Sequence, residues 1–461
     1  MIPCAVMVPH PPIAVPEVGR QEIHRIEATE RSYERIADII AAAAPQTIVI
    51  FSPHATMYRD YFNVSGGSGA YGDLGQFNAG AVSFEETYDE EMTELLTRRC
   101  REAGFPAGTE YDQAKELDHG TMVPLYFIRK KYRDFRLVRI GLSGLPLAQH
   151  YRLGMILQQV IQELGRRTVI VASGDLSHCQ KQDGPYGFRP QGPEYDQKIM
   201  ATMSAADFGS LLTYDPVLLD QSMECGHRSF CLMAGTLDGL GVSTETLSHE
   251  ATFGVGYGFV SYQVNGPDES RHFLAAYEQQ QKQDAAARLE GQDAWVHLAA
   301  DTISEWVLHR RRLSIPAHLP QELMTARAGV FVSIHEHGEL RGCIGTILPT
   351  KKNAAEEIIA NAISACSRDP RFEPVGAEEL AYLELSVDEL KTPELIQDRS
   401  QLEVHRYGVI CSTADGRRGL LLPDLEGVDT VDEQIRIACR KGDIDPDEDV
   451  ILQRFEVIRH A

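Results

Sequence analysis

Three histidines each follow an apolar, β-branched run at the point where the run ends. His10 follows IPCAVMV, His54 follows TIVIFS, and His178 follows TVIVAS. A lone histidine after a strand is more often an ordinary hydrogen-bonded residue, but three such positions favour a common cause. Ligands of open α/β sheets bind beyond the carboxyl ends of the strands, where these imidazoles would converge. Imidazole binds metals and exchanges protons near neutral pH, so we predict one shared site.

Two further residues have the chemistry to join such a site. His119 opens the apolar run HGTMVPL, and Glu224 is an isolated acid in SMECGHRSF. Two histidines and one carboxylate on one face leave three coordination positions open, as in non-haem Fe(II) oxygenases. The same donors also suit catalytic zinc, so a zinc hydrolase remains an alternative at this stage.

The segments around these residues alternate between predicted strands and helices. Strands are predicted at 2–8, 47–52, 136–141 and 168–172, and helices at 21–44, 85–103 and 150–164. This βαβ rhythm predicts an α/β domain with a mostly parallel central sheet. Two Gly-rich stretches, 66–77 and 181–195, are predicted to be loops that form a lid or rim of the pocket.

The second half of the chain has a different rhythm. A polar segment rich in Gln and Ala, 266–289, predicts a linker between one domain at 1–265 and another at 290–461. Beyond it, a predicted helix is followed by strands in hairpins and two more helices, which is typical of an α+β domain.

The predicted strand ELRGCIG places Arg341 and Cys343 beside glycines, where a ligand can approach the backbone closely. Arg341 could bind a carboxylate or phosphate, and Cys343 could act as a nucleophile if its thiolate is favoured. The competing interpretation is that Cys343 is a small buried hydrophobe, as most free cysteines are.

The charge and composition of the chain argue against nucleic acid and membranes as partners. The 461 residues carry a formal net charge of −23, which opposes phosphate backbones and anionic membrane surfaces. No apolar run of about 18 residues occurs, so no membrane span is expected. The N-terminus lacks a basic region, so no signal peptide is expected. Nine dispersed cysteines without a CxxC pair favour a reducing cytoplasm.

Five short motifs occur in an order that resembles a known family. VPHPP, SPHA, DHGTMVPL, SGDLSH and ECGHRSF follow one another as in LigB-type class III extradiol dioxygenases and the related Memo proteins. The resemblance covers about residues 1–265. It implies His10, His54 and Glu224 as metal ligands, His178 as the acid–base residue and His119 as a substrate contact.

The same resemblance implies a cofactor and a reaction. Fe(II) is the expected metal, with zinc or manganese as alternatives, and the substrates would be a catecholic ring and O₂. Relatives in this family are often homo-oligomers. Memo-like relatives that lack evident dioxygenase activity can carry a cysteine as the third ligand, and Cys225 lies beside Glu224 in this chain.

Longer motifs in the second domain resemble the AMMECR-type domain. They are RAGVFVSIHEHGELRGCIGTI, KKNAAEEIIANAISACSRDPRF and GLLLPDLEGVDTVDEQIRIACRKGDI, within residues 290–461. The fusion is similar to two-domain proteins of the AmmeMemoRadiSam system, which implies a radical SAM protein as a partner. An alternative function follows, that of a metal-binding scaffold acting with that radical SAM enzyme. The fused domain favours the scaffold, whereas the acid–base histidine favours the dioxygenase.

Overall fold

The computed structural model describes residues 1–111, 116–336, 338–425, 427–445 and 448–461. The chain divides into two compact units, Met1–Tyr277 and Glu278–Ala461. The division falls inside a helix, Phe273–Glu290, which occupies most of the segment predicted to be a linker. Within the described ranges, no helix has both the length and the apolar character that a membrane crossing requires.

The N-terminal unit alternates strands and helices along the chain. Its strands are β1 (Cys4–Val8), β2 (Thr47–Ser52), β3 (Phe62–Asn63), β4 (Gly69–Leu74), β5 (Ala79–Thr87), β6 (Ala107–Gly108), β7 (Arg136–Gly141), β8 (Thr168–Ser173), β9 (Leu240–Glu250) and β10 (Tyr257–Pro267). Its helices are α1 (Pro16–Gly19), α2 (Glu27–Ala43), α3 (Glu90–Glu102), α4 (His119–Lys131), α5 (Leu147–Leu164), α6 (Gln191–Ser204), α7 (Pro216–Ser222) and α8 (His227–Thr236). Helix α9 (Phe273–Glu290) contains the division between the two units.

The central sheet has the strand order β7-β2-β8-β1-β10-β9. The first four strands are parallel to one another, and β10 and β9 extend the sheet in antiparallel pairing. Alternate residues of β1, β2 and β8 belong to two different buried clusters, one on each face. A strand that is buried on both faces must be apolar throughout, which explains the unbroken runs in the sequence. The expected α/β domain with a mostly parallel sheet is confirmed.

Two local expectations differ from the structure. The predicted lid at 66–77 contains strand β4, which pairs with β5 in an antiparallel hairpin. The helix predicted from residue 85 begins only at Glu90, because the residues up to Thr87 complete β5. Asp89 then starts the helix by accepting the backbone N–H of Met92 at 3.2 Å.

The C-terminal unit is built on an antiparallel sheet with the strand order β12-β11-β13-β17-β15-β16, and β14 pairs with β17. Its strands are β11 (Gly329–Glu336), β12 (Glu339–Gly345), β13 (Leu383–Leu390), β14 (Glu394–Leu395), β15 (Tyr407–Ser412), β16 (Arg418–Leu421) and β17 (Ile451–His460). Its helices are α10 (Ala294–His309), α11 (Gln321–Thr325), α12 (Ala354–Ser367) and α13 (Val431–Lys441). Val330, Val332 and Ile334 of β11 face α10 and α12 in one buried cluster.

Candidate metal centre

Three of the predicted histidines follow neighbouring parallel strands. Strand β8 lies between β1 and β2, and all three run in the same direction. His10 and His54 come two residues after the ends of β1 and β2, and His178 comes five residues after the end of β8. The fold therefore brings the three loops to one edge of the sheet.

A nitrogen cluster forms at this edge from His10, His54 and His119, whose donor nitrogens all lie within 4.8 Å of one another. The Nε2 atoms of His10 and His54 are 3.0 Å apart. Two nitrogens that are each about 2.1 Å from one metal ion, at right angles, lie about 3.0 Å apart. The His10 and His54 pair therefore fits a divalent metal ion, with His119 beside it.

The tautomer of His10 is set by the strand next to it. His10 Nδ1 is 3.0 Å from Ser173 Oγ, and that hydroxyl donates its proton to the Gly120 carbonyl at 2.6 Å. Because the hydroxyl proton is already used, Ser173 Oγ accepts from Nδ1–H. The lone pair of His10 then lies on Nε2, which faces the rest of the cluster.

His119 is held by the start of α4. Asp118 caps this helix by accepting the backbone N–H of Thr121 at 3.0 Å, and it also accepts from the Ser52 hydroxyl. Arg139, which is 2% exposed, lies 3.5 Å from the same carboxylate. The His119 ring stacks on His54 with 4.0 Å between centroids. The cap thus places His119 directly beside His54.

The environment keeps the three imidazoles neutral. Burial, then His54, His119 and His178, hold the pKa of His10 well below its usual value. Burial and then His54 lower the pKa of His119 to about 4, and burial lowers the pKa of His54. Neutral imidazoles have the free lone pairs that a metal requires. His10 is buried and His54 is exposed, so the nitrogen cluster opens to solvent on the His54 side.

His178 lies outside the nitrogen cluster but close to it. Its Nδ1 donates to the Met223 carbonyl, which leaves Nε2 as the proton acceptor of the neutral ring. Burial is the main cause of its lowered pKa, and His54 lowers it further. Tyr186 packs edge-on against the ring at 5.3 Å. This arrangement suits a general base.

The structure does not bring Glu224 into the nitrogen cluster. Its carboxylate accepts the backbone N–H of His227 at 2.6 Å, at the first residue of α8. The first N–H groups of a helix have no intrahelical partner, so a nearby carboxylate satisfies one of them. Burial raises the pKa of Glu224 to about 7.

Cys225, next to Glu224, is nearer to the histidines. Its Sγ lies 3.7 Å from His10 Nε2 and accepts the backbone N–H of Asp175 at 3.3 Å. Burial, then Asp175 and Glu224, raise the pKa of this thiol well above its usual value, so a bound cation would be needed to form the thiolate. In the sequence, the indication that Cys225 belongs near the site was its position next to Glu224 in MECGH.

The two candidates of the C-terminal unit have different surroundings. Arg341 donates to both carboxylate oxygens of Glu379, at 2.6 and 3.1 Å, and to the Glu373 carbonyl at 2.8 Å. Its guanidinium is therefore used inside the fold. Cys343 is partly exposed, and its Sγ accepts from the Ser333 hydroxyl at 3.3 Å.

Comparisons with known proteins cover both units. The family model described as the catalytic LigB subunit of aromatic ring-opening dioxygenase matches residues 4–260, and the AMMECR1 model matches residues 296–460. The first match spans more than half of the 461 residues.

The chain is similar to several proteins whose names state no activity. Protein CA_C1420 of Clostridium acetobutylicum is 40% identical over 462 residues, which covers 98% of each chain. A protein of Thermotoga maritima is 48% identical over 172 residues, 37% of this chain and 98% of its own. The crystal structure of uncharacterized protein PH0010 from Pyrococcus horikoshii has 31% identity and a TM-score of 0.34, and the match covers 36% of this chain and 88% of that one. The chain belongs to the LigB family and carries an AMMECR1 domain after its LigB domain.

Proposed function

We propose that the LigB domain binds one divalent metal ion, Fe(II) rather than zinc or manganese, and opens a catecholic ring with O₂. The observation that carries this proposal is the nitrogen cluster of three neutral histidines beside a fourth, His178. Membership of the LigB family supports the reaction class.

In this proposal His10 and His54 hold the metal through Nε2, and His119 supplies a third nitrogen. When bound, iron would supply the Lewis-acid and redox chemistry that brings a catechol and O₂ together. Ser173 keeps His10 in the required tautomer, and the cap at Asp118 keeps His119 in place. These supports act before substrate arrives, so the nitrogens need little rearrangement on binding.

His178 would take up a proton from a phenolic hydroxyl of the substrate at Nε2 and return it later. Its Nδ1–H stays on the Met223 carbonyl throughout, which fixes the direction of Nε2. Phe77, 5.4 Å from the His119 ring, and Tyr186, 5.3 Å from the His178 ring, place flat apolar surfaces near the histidines. Such surfaces favour a planar aromatic substrate.

A second candidate function is that of a metal-binding protein that acts with a radical SAM enzyme and has no dioxygenase turnover. One observation favours it. A thiol at Cys225, rather than the Glu224 carboxylate, lies beside His10 Nε2. Thiolate and imidazole together are a donor set common in zinc sites, where the metal has no redox chemistry of its own.

Oxygen uptake separates the two functions. The protein is purified without oxygen, loaded with Fe(II) and mixed with a panel of catechols in an oxygen electrode. We expect catechol-dependent uptake in the wild type, and a loss of about 10²-fold or more in His178→Gln with the iron retained. An iron-loaded wild type that consumes no oxygen with any catechol would favour the scaffold.

A further inference from the structure

One cavity lies entirely within the C-terminal unit. It has a volume of about 730 Å³ and is lined by the face of β11, β12 and β13 that carries Phe331, Ser333 and Cys343. The alternate residues of β11 are the ones buried against the helices, so this face of the sheet remains available. A volume of this size suits a small organic molecule.

Strand register places short polar side chains in one row across the floor of the cavity. Cys343 on β12 lies opposite Ser333 on β11, which lies opposite Ser386 on β13. The Ser333 hydroxyl donates to Cys343 Sγ at 3.3 Å. Short side chains in one row leave space above the sheet, and the sulfur borders that space.

Two guanidinium groups are fixed beside this row. Arg371 donates to Asp369 at 2.9 and 2.7 Å, and Asp369 also accepts the backbone N–H of Cys343 at 2.9 Å. Arg459 donates to Asp388 at 2.8 and 3.1 Å. Each arginine uses only one edge of its fork on the aspartate, and the two side chains are 54% and 46% exposed. Arg371 Nη2 also donates to the Cys343 carbonyl at 3.3 Å, so Nη1 of each guanidinium is the donor that remains for a ligand.

The acidic side chains around the cavity are paired with arginines. Asp369 and Asp388 are each paired with an arginine, and Glu384 lies 3.1 Å from Arg288. Lys441 also lines the cavity and forms no ion pair with any residue in the described ranges. Each of these acidic side chains is thus compensated locally by an arginine.

The rest of the lining is apolar. Leu420 and Leu422 also line the cavity, and Phe331 contributes an aromatic ring that packs in the same cluster as these leucines. An apolar wall facing a few convergent polar groups is the usual form of a small-molecule site.

We propose that this cavity binds a small organic anion with an apolar body, whose anionic group is held by Arg371 and Arg459 beside the Cys343 thiol. The site is separate from the nitrogen cluster and needs no metal. Seven of the nine cysteines are buried and Cys225 lies at the nitrogen cluster, so Cys343 is a distinct reporter of the cavity.

Two alkylating reagents of similar size test the proposal. Iodoacetate carries a carboxylate and iodoacetamide is its neutral counterpart, and the rate at Cys343 is followed for each by peptide mass spectrometry. We expect the rate ratio of iodoacetate to iodoacetamide to be about tenfold higher at Cys343 than at glutathione. This preference would oppose the net charge of −23, which alone would repel the anion.

Substitutions of the two arginines test whether they cause the preference for iodoacetate at Cys343. Arg371→Gln should lower the ratio at Cys343 toward that of glutathione, and Arg459→Lys tests the second cation while keeping a charge beside buried Asp388. Arg399→Gln, which removes an exposed arginine paired with Asp432, is the matched control and should leave the ratio unchanged. Thermal unfolding checks that each variant is folded. A wild-type ratio equal to that of glutathione, or a high ratio that Arg371→Gln leaves unchanged, would overturn the proposal.

Discussion

At the scale of single residues, the lone pair of His10 depends on one hydroxyl. Ser173 accepts from Nδ1–H because its own proton goes to the Gly120 carbonyl. Without that acceptor, the proton can move to Nε2, which is the atom that faces His54. A group that touches no metal would in this way control metal affinity.

Ser173→Ala should therefore weaken metal binding by about 10- to 100-fold, because a group that hydrogen-bonds to a metal-ligating histidine typically contributes that much to metal affinity. The measurement is a competition titration against a chelator at fixed pH. Ser32→Ala removes another buried serine of the same domain, one that bonds to Ser248 at 2.7 Å, and should leave the affinity unchanged. Equal affinities in wild type and Ser173→Ala would remove the proposed role of the hydroxyl.

Two adjacent substitutions separate the carboxylate from the thiol. Glu224→Gln should retain the metal, because an amide oxygen can still accept the His227 N–H. In the second candidate function, where the Cys225 thiol beside His10 is a ligand, Cys225→Ser should lower metal affinity. Metal content by mass spectrometry after anaerobic purification measures both. If Glu224→Gln loses the metal and Cys225→Ser keeps it, the carboxylate is the ligand after all.

At the scale of elements, a strand that is buried on both faces must be apolar along its length, and such strands could be predicted from the sequence. The bounds of β2 agree with prediction because TIVIFS is buried at every position and is apolar through its middle. The amphipathic hairpin of β4 and β5 was missed, because glycines in β4 also fit a loop. Which of Glu224 and Cys225 faces the histidines is decided by a turn before α8, where no periodicity guides the prediction.

Helix α5 provides a pH prediction away from the nitrogen cluster. His150 is fully buried, its Nδ1 is 3.1 Å from the Pro146 carbonyl, and burial is the main reason that its pKa falls to about 3. Between that value and the usual 6.5, the unfolded chain binds one more proton at this residue than the folded chain does. Stability therefore falls as the pH drops through this window, by about 1.4 kcal/mol per pH unit for this one group.

His150→Gln removes this titration. The slope of the free energy of unfolding against pH should decrease by about 1.4 kcal/mol per unit between about pH 6 and pH 4. Urea unfolding followed at a series of pH values gives the slope. The difference in slope is the readout, because the substitution also changes stability by a constant amount at every pH. Parallel curves for wild type and variant would show that His150 does not titrate in this way.

At the scale of the whole molecule, the change of rhythm near residue 270 predicted two domains of different class. Among the residues that the structure describes, two buried clusters belong to the N-terminal unit and three to the C-terminal unit. What the sequence could not predict was the cavity beside Cys343. It depends on residues from β11, β12, β13 and β17 that are far apart in the chain and meet only through sheet register.

A fragment ending at Tyr277 should fold and bind metal as the full chain does. It contains all the histidines of the nitrogen cluster, His178 and both buried clusters of its unit. Circular dichroism and metal content compare the fragment with the full chain. A folded fragment that binds no metal would mean that the C-terminal unit is needed for the site.

The function proposed for the LigB domain depends on a metal ion held by the nitrogen cluster. The most direct measurement is the metal content of anaerobically purified wild type and His54→Ala. His54 is exposed, so its loss should leave the sheet intact by circular dichroism. We expect about one iron per chain in the wild type and almost none in folded His54→Ala. A folded His54→Ala protein that keeps its full metal content would contradict this proposal.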